Sequence, residues 1–137
     1  MEPKLLKGGN YKDDRGVLKY NNTFDASEVK RLYTISNAHE NLIRAWQGHK
    51  VEKRWFSAIS GKFLIRLIKI DNWLEPSKNL TVLQFKICSE SLNVLFVPSG
   101  FVSSIQSLDS EGLLLAMSNY ALGEINDEIR YSDNYFK

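Results

Sequence analysis

Short apolar runs alternate along the chain with clusters of Gly, Asn, Asp, Pro and Ser, and the 3.6-residue rhythm of an amphipathic helix is nearly absent. Runs of this length, rich in β-branched and aromatic residues and bounded by turn formers, read as strands. The pattern predicts strands over 16–20, 29–35, 42–47, 54–59, 63–70, 80–88, 92–97, 101–108 and 112–117. Ser60-Gly61-Lys62 is a tight-turn signal, so 54–59 and 63–70 are expected to pair as a hairpin. Ser89-Glu90-Ser91 joins the next two runs. Pro98-Ser99-Gly100 predicts a sharp turn, since Pro fixes φ and Gly tolerates positive values. Asp25-Ala26-Ser27-Glu28 has the spacing of a capping box and predicts one helical turn. Residues 124–135 are polar and aromatic without an apolar stripe, which fits either a short helix or a surface wrap. About eight or nine strands with regularly spaced turns make an all-β sandwich or barrel. No linker, repeat or low-complexity tract divides the chain, so residues 1–137 are expected to form a single domain.

Composition narrows the function classes. Lys and Arg number 18 against 16 Asp and Glu. That excess is too small to indicate a nucleic-acid groove, and no nucleic-acid partner is expected. No apolar run approaches the ~20 residues needed to span a bilayer, so no membrane role is expected. Met1-Glu2-Pro3-Lys4 lacks the basic-then-apolar order of a signal peptide, which makes a cytoplasmic location the expectation. Cys88 is the single cysteine, which excludes an internal disulfide framework and a multi-cysteine metal site.

Two stretches carry candidate chemistry. In Arg44-Ala45-Trp46-Gln47-Gly48-His49-Lys50, strict alternation puts Arg44, Trp46 and Gly48 on one face and Ala45, Gln47 and His49 on the other. Gln47 and His49 would then line a cavity together, with the imidazole available for proton transfer. An edge-strand histidine in solvent is the simpler alternative. The second stretch, Val97-Pro98-Ser99-Gly100-Phe101-Val102-Ser103, is either a plain turn or one that closes the mouth of a small barrel. His39 and His49 are the only histidines, so a three-histidine metal site is excluded. No Gly-rich phosphate loop is present, and no Ser–His–Asp set can be assembled from sequence alone. Arg54-Trp55-Phe56 reads as a core strand with one outward Arg rather than a base-stacking surface.

These stretches resemble cupins, which often carry His-x-His in one strand and Pro-x-Gly-x-x-His later. Here the frames read Gln47-Gly48-His49 and Pro98-Ser99-Gly100-Phe101-Val102-Ser103, so the metal-binding set is lost at Gln47 and Ser103. The closer resemblance is to the dTDP-sugar isomerases, meaning the dTDP-4-dehydrorhamnose 3,5-epimerases and the dTDP-4-keto-6-deoxyglucose 3,4-ketoisomerases. Asp13-Asp14-Arg15-Gly16 is similar to that family's Asp-x-Arg-Gly opening, and Val29-Lys30-Arg31-Leu32-Tyr33 to Ile-Lys-Arg-Val-Tyr. Arg44 to Lys50 resembles Arg-Gly-x-His-x-His-Lys. Ser60-Gly61, the Pro98-x-Gly100-Phe101 turn, Ser118-Asn119-Tyr120 and Ile129-Arg130-Tyr131-Ser132-Asp133 follow in the same order.

The resemblance implies a cupin-type jelly roll and proton transfer beside a sugar ketone. It also implies departures. The family's base falls at Gln47, the epimerases' acid tyrosine near Ala116, and their lysine at Arg54. The remaining candidates are His49 and Tyr33 for catalysis, and Arg15, Arg44, Gln47, Lys50 and Arg54 for holding a nucleotide sugar. No metal or cofactor is expected. A nucleotide-sugar ligand and a homodimer, paired through the strand at 29–35, are. Turnover of a 4-keto-6-deoxyhexose, binding without turnover, and a pure interaction module all remain open from sequence.

Overall fold

Strands form where alternation predicted them, and three more appear. The computed structural model describes residues 1–136. In chain order the strands are β1 (Lys4–Leu6), β2 (Gly9–Asp13), β3 (Gly16–Tyr20), β4 (Arg31–Ile35), β5 (Ile43–His49) and β6 (Arg54–Ser60). They continue as β7 (Lys62–Lys69), β8 (Val82–Cys88), β9 (Val94–Val97), β10 (Phe101–Ser107), β11 (Leu113–Ser118) and β12 (Glu128–Arg130). Two five-stranded antiparallel sheets, ordered β1-β9-β6-β11-β4 and β12-β5-β10-β7-β8, face each other, and β2-β3 forms a separate ribbon. This is the all-β, cupin-type jelly-roll sandwich expected. The Asp25–Glu28 segment is a turn rather than a helix: the Ser27 N–H donates to Asp25 Oδ1, and the Val29 N–H to the Ala26 carbonyl.

Sheet assignment corrects one local expectation. β6 and β7 do not pair as a hairpin. β6 pairs with β11 and β9, while β7 pairs with β10 and β8. Gly61 is a corner at which the chain leaves one sheet for the other, with φ of 77°. A Cβ there would sit 2.8 Å from Asp109 Oδ2 and 3.0 Å from Gly112 Cα, so only glycine fits. The Pro98–Gly100 turn does the same between β9 and β10, with Gly100 at φ 93°. A turn signal marks a reversal but does not say whether the next strand lies beside the last or across the sandwich.

The inward faces make one apolar core. Phe56, Ala58, Phe63, Ile65, Leu67, Ile87, Leu95, Ile105 and Leu114 are buried between the sheets. Each large side chain among them contributes roughly 1.5–3 kcal/mol by leaving water. The outer faces are covered by irregular chain. Phe24 and Val29 pack over Trp55 and Met117 on one side. On the other, Trp73, Tyr131 and Phe136 pack over Trp46, Ile68 and Val102. Residues 124–135, open between helix and wrap, thus contain β12 and a wrap. Tyr131 Oη donates to the Trp73 carbonyl at 2.5 Å and Tyr135 Oη to the Pro76 carbonyl at 2.6 Å, tying this tail to the β7–β8 loop. Among the described residues no helix is long and apolar enough to cross a membrane.

Candidate functional site

At one end the sandwich opens into a cleft of about 1080 Å³. Its walls come from β4, β5, the first residue of β6, the middle of β10, and β12 with the segment leading into it. Tyr33, Arg44, Gln47, His49, Arg54 and Ser103 all line it. Arg44 should not be there by strict alternation. The register between β10 and β5 shifts: Ser103 lies opposite Gln47, but Ile105 lies opposite Arg44. Three residues on β5 span two on β10, a bulge that re-aims the chain and brings Arg44 to the same cavity as Gln47 and His49. The Arg44 Nε then donates to Asn37 Oδ1 at 2.9 Å.

Two predicted residues lie elsewhere. Arg15 is at the tip of the β2–β3 ribbon, its side chain 85% exposed and paired with Asp13 at 2.8 Å. The ribbon stands apart from the two sheets, which keeps this guanidinium out of the cleft within one chain. Lys50 is exposed in the bend that follows β5 and is also outside the cleft. Ala116, where the epimerases' tyrosine falls, is fully buried in β11 opposite Tyr33.

The centre of the cleft is a buried polar network around His49. Its Nδ1 lies 3.1 Å from Asp127 Oδ1 and 3.5 Å from Glu52 Oε2, and its Nε2 lies 2.8 Å from Arg54 Nη1. A guanidinium can only donate, so Nε2 accepts and the ring proton resides on Nδ1, where it donates to Asp127. The other Asp127 oxygen accepts the N–H groups of Val51 and Glu52, each at 2.8 Å. Burial alone would raise the Asp127 carboxyl pKa. The hydrogen bonds from the Glu52 N–H, from His49 and from the Val51 N–H outweigh it and leave the value below the usual carboxylate range. Burial, with Arg31 nearby, lowers the Arg54 guanidinium to about 10, so it stays charged at neutral pH. The Tyr33 ring lies 5.0 Å from the Arg31 guanidinium and 5.7 Å from that of Arg54. At the rim, Gln47 Nε2 donates to Glu128 Oε2 at 2.5 Å. Hydrogen bonds from Arg130 and Gln47 hold the Glu128 carboxyl below its ordinary pKa despite partial burial.

His49 Nδ1, Glu52 and Asp127 offer ligand atoms all within 4.8 Å of one another, a spacing that could admit a divalent cation. The chemistry fits one poorly. The Arg54 guanidinium already provides a cation there, its Nε 3.6 Å from Glu52 Oε2, and Nδ1 carries a proton.

Sequence reasoning missed Asp127, Glu52 and Glu128. Asp127 and Glu128 lie in the tail that showed no periodicity, and pairing of β12 with β5 brings them in, Glu128 opposite His49 and Arg130 opposite Gln47. The only available signal was the Asn126-Asp127-Glu128 run itself.

No family profile matches the sequence, and no curated protein matches it. Solved structures do. A histidine-to-asparagine mutant of a 3,4-ketoisomerase from Thermoanaerobacterium thermosaccharolyticum, in complex with TDP-4-keto-6-deoxyglucose, superposes with a TM-score of 0.72 at 20% identity, over 97% of this chain and 90% of that one. A dTDP-4-dehydrorhamnose 3,5-epimerase from Bacillus anthracis, with TDP and PPi bound, gives 0.71 at 14% identity, over 92% and 78%. This chain has the fold of the dTDP-sugar isomerases. A 3'-monoepimerase from Streptomyces bikiniensis, in complex with dTDP-quinovose, gives 0.71 at 12% identity over 96% of this chain and 70% of that one. At such identities the likeness establishes the dTDP-sugar isomerase architecture and leaves the chemistry to the residues in the cleft.

Proposed function

We propose that this protein binds a dTDP-linked 4-keto-6-deoxyhexose in the cleft and transfers a proton at a carbon beside the ketone, as an epimerase or ketoisomerase. The observation that carries the reading is the His49–Asp127 pair. It gives an imidazole whose Nδ1 proton is fixed by a carboxylate and whose Nε2 lone pair accepts from Arg54 in the wall of the cleft. Asp127 would stabilise the imidazolium formed when Nε2 takes a proton. Arg54 and Arg31 would offset the charge of the enolate, with Arg44 on the diphosphate, and Tyr33 would return a proton. Gln47, locked to Glu128, acts as a binding group rather than a base. The structures of similar fold that hold TDP, dTDP-quinovose or a TDP-keto sugar support the ligand class.

Binding without turnover is the second reading, and one contact favours it. Arg54 Nη1 occupies the same Nε2 lone pair that a base needs. Proton exchange from deuterated solvent into dTDP-4-keto-6-deoxyglucose, followed by NMR, separates the two. Exchange at a carbon beside the ketone supports the enzyme. Calorimetric binding of dTDP without exchange supports the second reading, and no binding at millimolar dTDP removes both.

We further propose a homodimer. β4 is the free edge of its sheet, Leu32 on it is 65% exposed, and Tyr11, Val17 and Leu18 are exposed on the β2–β3 ribbon. Light scattering at micromolar concentration should give twice the chain mass. The monomer mass would remove this proposal.

A further inference from the structure

Glu52 and Arg54 are each more than nine-tenths buried, and each leaves a polar atom unpaired: Glu52 Oε2 has no donor and Arg54 Nε has no acceptor. The two atoms face each other at 3.6 Å, too far for a hydrogen bond. Buried polar atoms are nearly always satisfied, so two orphans side by side mark an interaction left unmade in this state. A guanidinium shift closing the gap by roughly 0.7 Å would make a charge-assisted bond. The guanidinium moves as one rigid plane, so a shift toward Glu52 that carries Nη1 along with Nε releases His49.

The histidine imposes the same choice. Protonation at Nε2 would set an imidazolium N–H against the Arg54 N–H, two donors across 2.8 Å. His49 therefore cannot take a proton there while Arg54 is docked. The Arg31 and Arg54 guanidinium groups both lie near the Tyr33 ring, and Asp127 and Glu128 also lie within the field of Arg54, so that guanidinium has neighbours of both signs.

We propose that Arg54 is a removable cap on His49, with Glu52 as its alternative seat, and that an anionic ligand group entering the cleft shifts it and opens Nε2. A guanidinium binds a phosphate or enolate oxygen more strongly than a neutral imidazole, which provides the differential interaction the shift needs. Glu52 is thus a positioning residue that acts through Arg54. The functional consequence rests on the reading of His49 as the proton-transfer group; the capping itself does not.

The chain has two histidines, so exposed His39 is an internal reference for reactivity at His49. Diethyl pyrocarbonate acylates an unprotonated imidazole nitrogen, and peptide mass spectrometry reads the His49-to-His39 rate ratio in the intact protein. Arg54→Met should raise that ratio about tenfold or more, the shift expected when one charge-assisted hydrogen bond is lost. Glu52→Gln, which removes the alternative seat, should lower it several-fold and reduce kcat with little change in KM. Should Arg54→Met not fold, imidazole ¹⁵N spectra of the unmodified protein decide. They should show a protonated Nδ1 and an accepting Nε2 at His49, with inorganic pyrophosphate perturbing Nε2 there and leaving His39 unchanged. A rate ratio unmoved by either substitution, or an Nε2–H tautomer without ligand, overturns the cap. Absence of dTDP binding or proton exchange in the unsubstituted protein overturns the functional reading instead.

Discussion

β6 runs through two regions that obey one rule and end in different chemistry. Its inward side chains are Arg54, Phe56 and Ala58. Phe56 and Ala58 meet Leu95, Leu114 and other apolar groups between the sheets, whereas Arg54, two residues earlier, meets His49 and Glu52. The first region is held by area removed from water, which is additive and tolerant of detail. The second is held by hydrogen bonds among buried charges, where each group depends on its partner's position and an unpaired member costs heavily. The apolar region therefore sets stability, and the polar region sets what the protein can do. Substitutions in the apolar region should change stability alone, whereas those in the polar region should change function and, where a buried charge loses its partner, stability as well.

The largest effect is expected in the apolar region. Phe63→Ala leaves a cavity in the fully buried core and should cost about 3–5 kcal/mol in urea unfolding. Where the variant is folded, dTDP affinity should be nearly unchanged. Loss of binding at full folding would show that the two regions are coupled.

His49→Asn is the matching change in the polar region. Turnover should fall at least ~100-fold, equivalent to about 2.7 kcal/mol of barrier, while dTDP binding persists through the arginines. Full turnover in this variant would remove His49 from the chemistry.

Asp127→Asn tests the network that holds the imidazole. It removes a charge-assisted hydrogen bond at a buried site and should cost about 1.5–3 kcal/mol at neutral pH. The pH dependence has a defined sign. The carboxyl pKa is lowered in the folded protein, so its contribution is present above the unfolded value near ~3.9 and lost as pH falls through the folded value. Asp127→Asn should flatten the acid limb of the stability profile below about pH 4, and equal acid sensitivity in both proteins would argue against this assignment.

The smallest effect belongs to positions outside both regions. Lys50→Ala should change stability by no more than ~0.5 kcal/mol and leave dTDP affinity within error in calorimetry. A large loss of affinity would place Lys50 against the ligand, which the geometry of one chain does not.

Alternation and turn chemistry made the fold legible. The runs containing Phe63, Ile65 and Leu67, and Phe101 and Ile105, could only be strands, and turn residues divided them at the right places. β1 and β12 were not legible because three residues are too few to show a period, and β2, Gly-Asn-Tyr-Lys-Asp, was not because Tyr11 is its one large apolar side chain and nothing alternates with it. Part of the cleft could be read as well: Gln47 and His49 two apart on one strand, with Tyr33 and Arg54 added by family resemblance. Arg44 reached the same cavity only through a bulge that no local signal announces.

By itself, then, the sequence determined an all-β chain with a buried alternating face, because side-chain period and turn preference are properties of neighbouring residues. Tertiary structure decided which sheet each strand joined, with Gly61 turning across the sandwich instead of closing a hairpin. It also decided the partners of His49. Asp127 lies 78 residues away in sequence and reaches the imidazole because the aromatic tail packs on Trp46 and Trp73 and pairs β12 with β5. Hydrogen bonds between distant segments depend on where packing leaves the backbone, and no local pattern in either segment encodes that position.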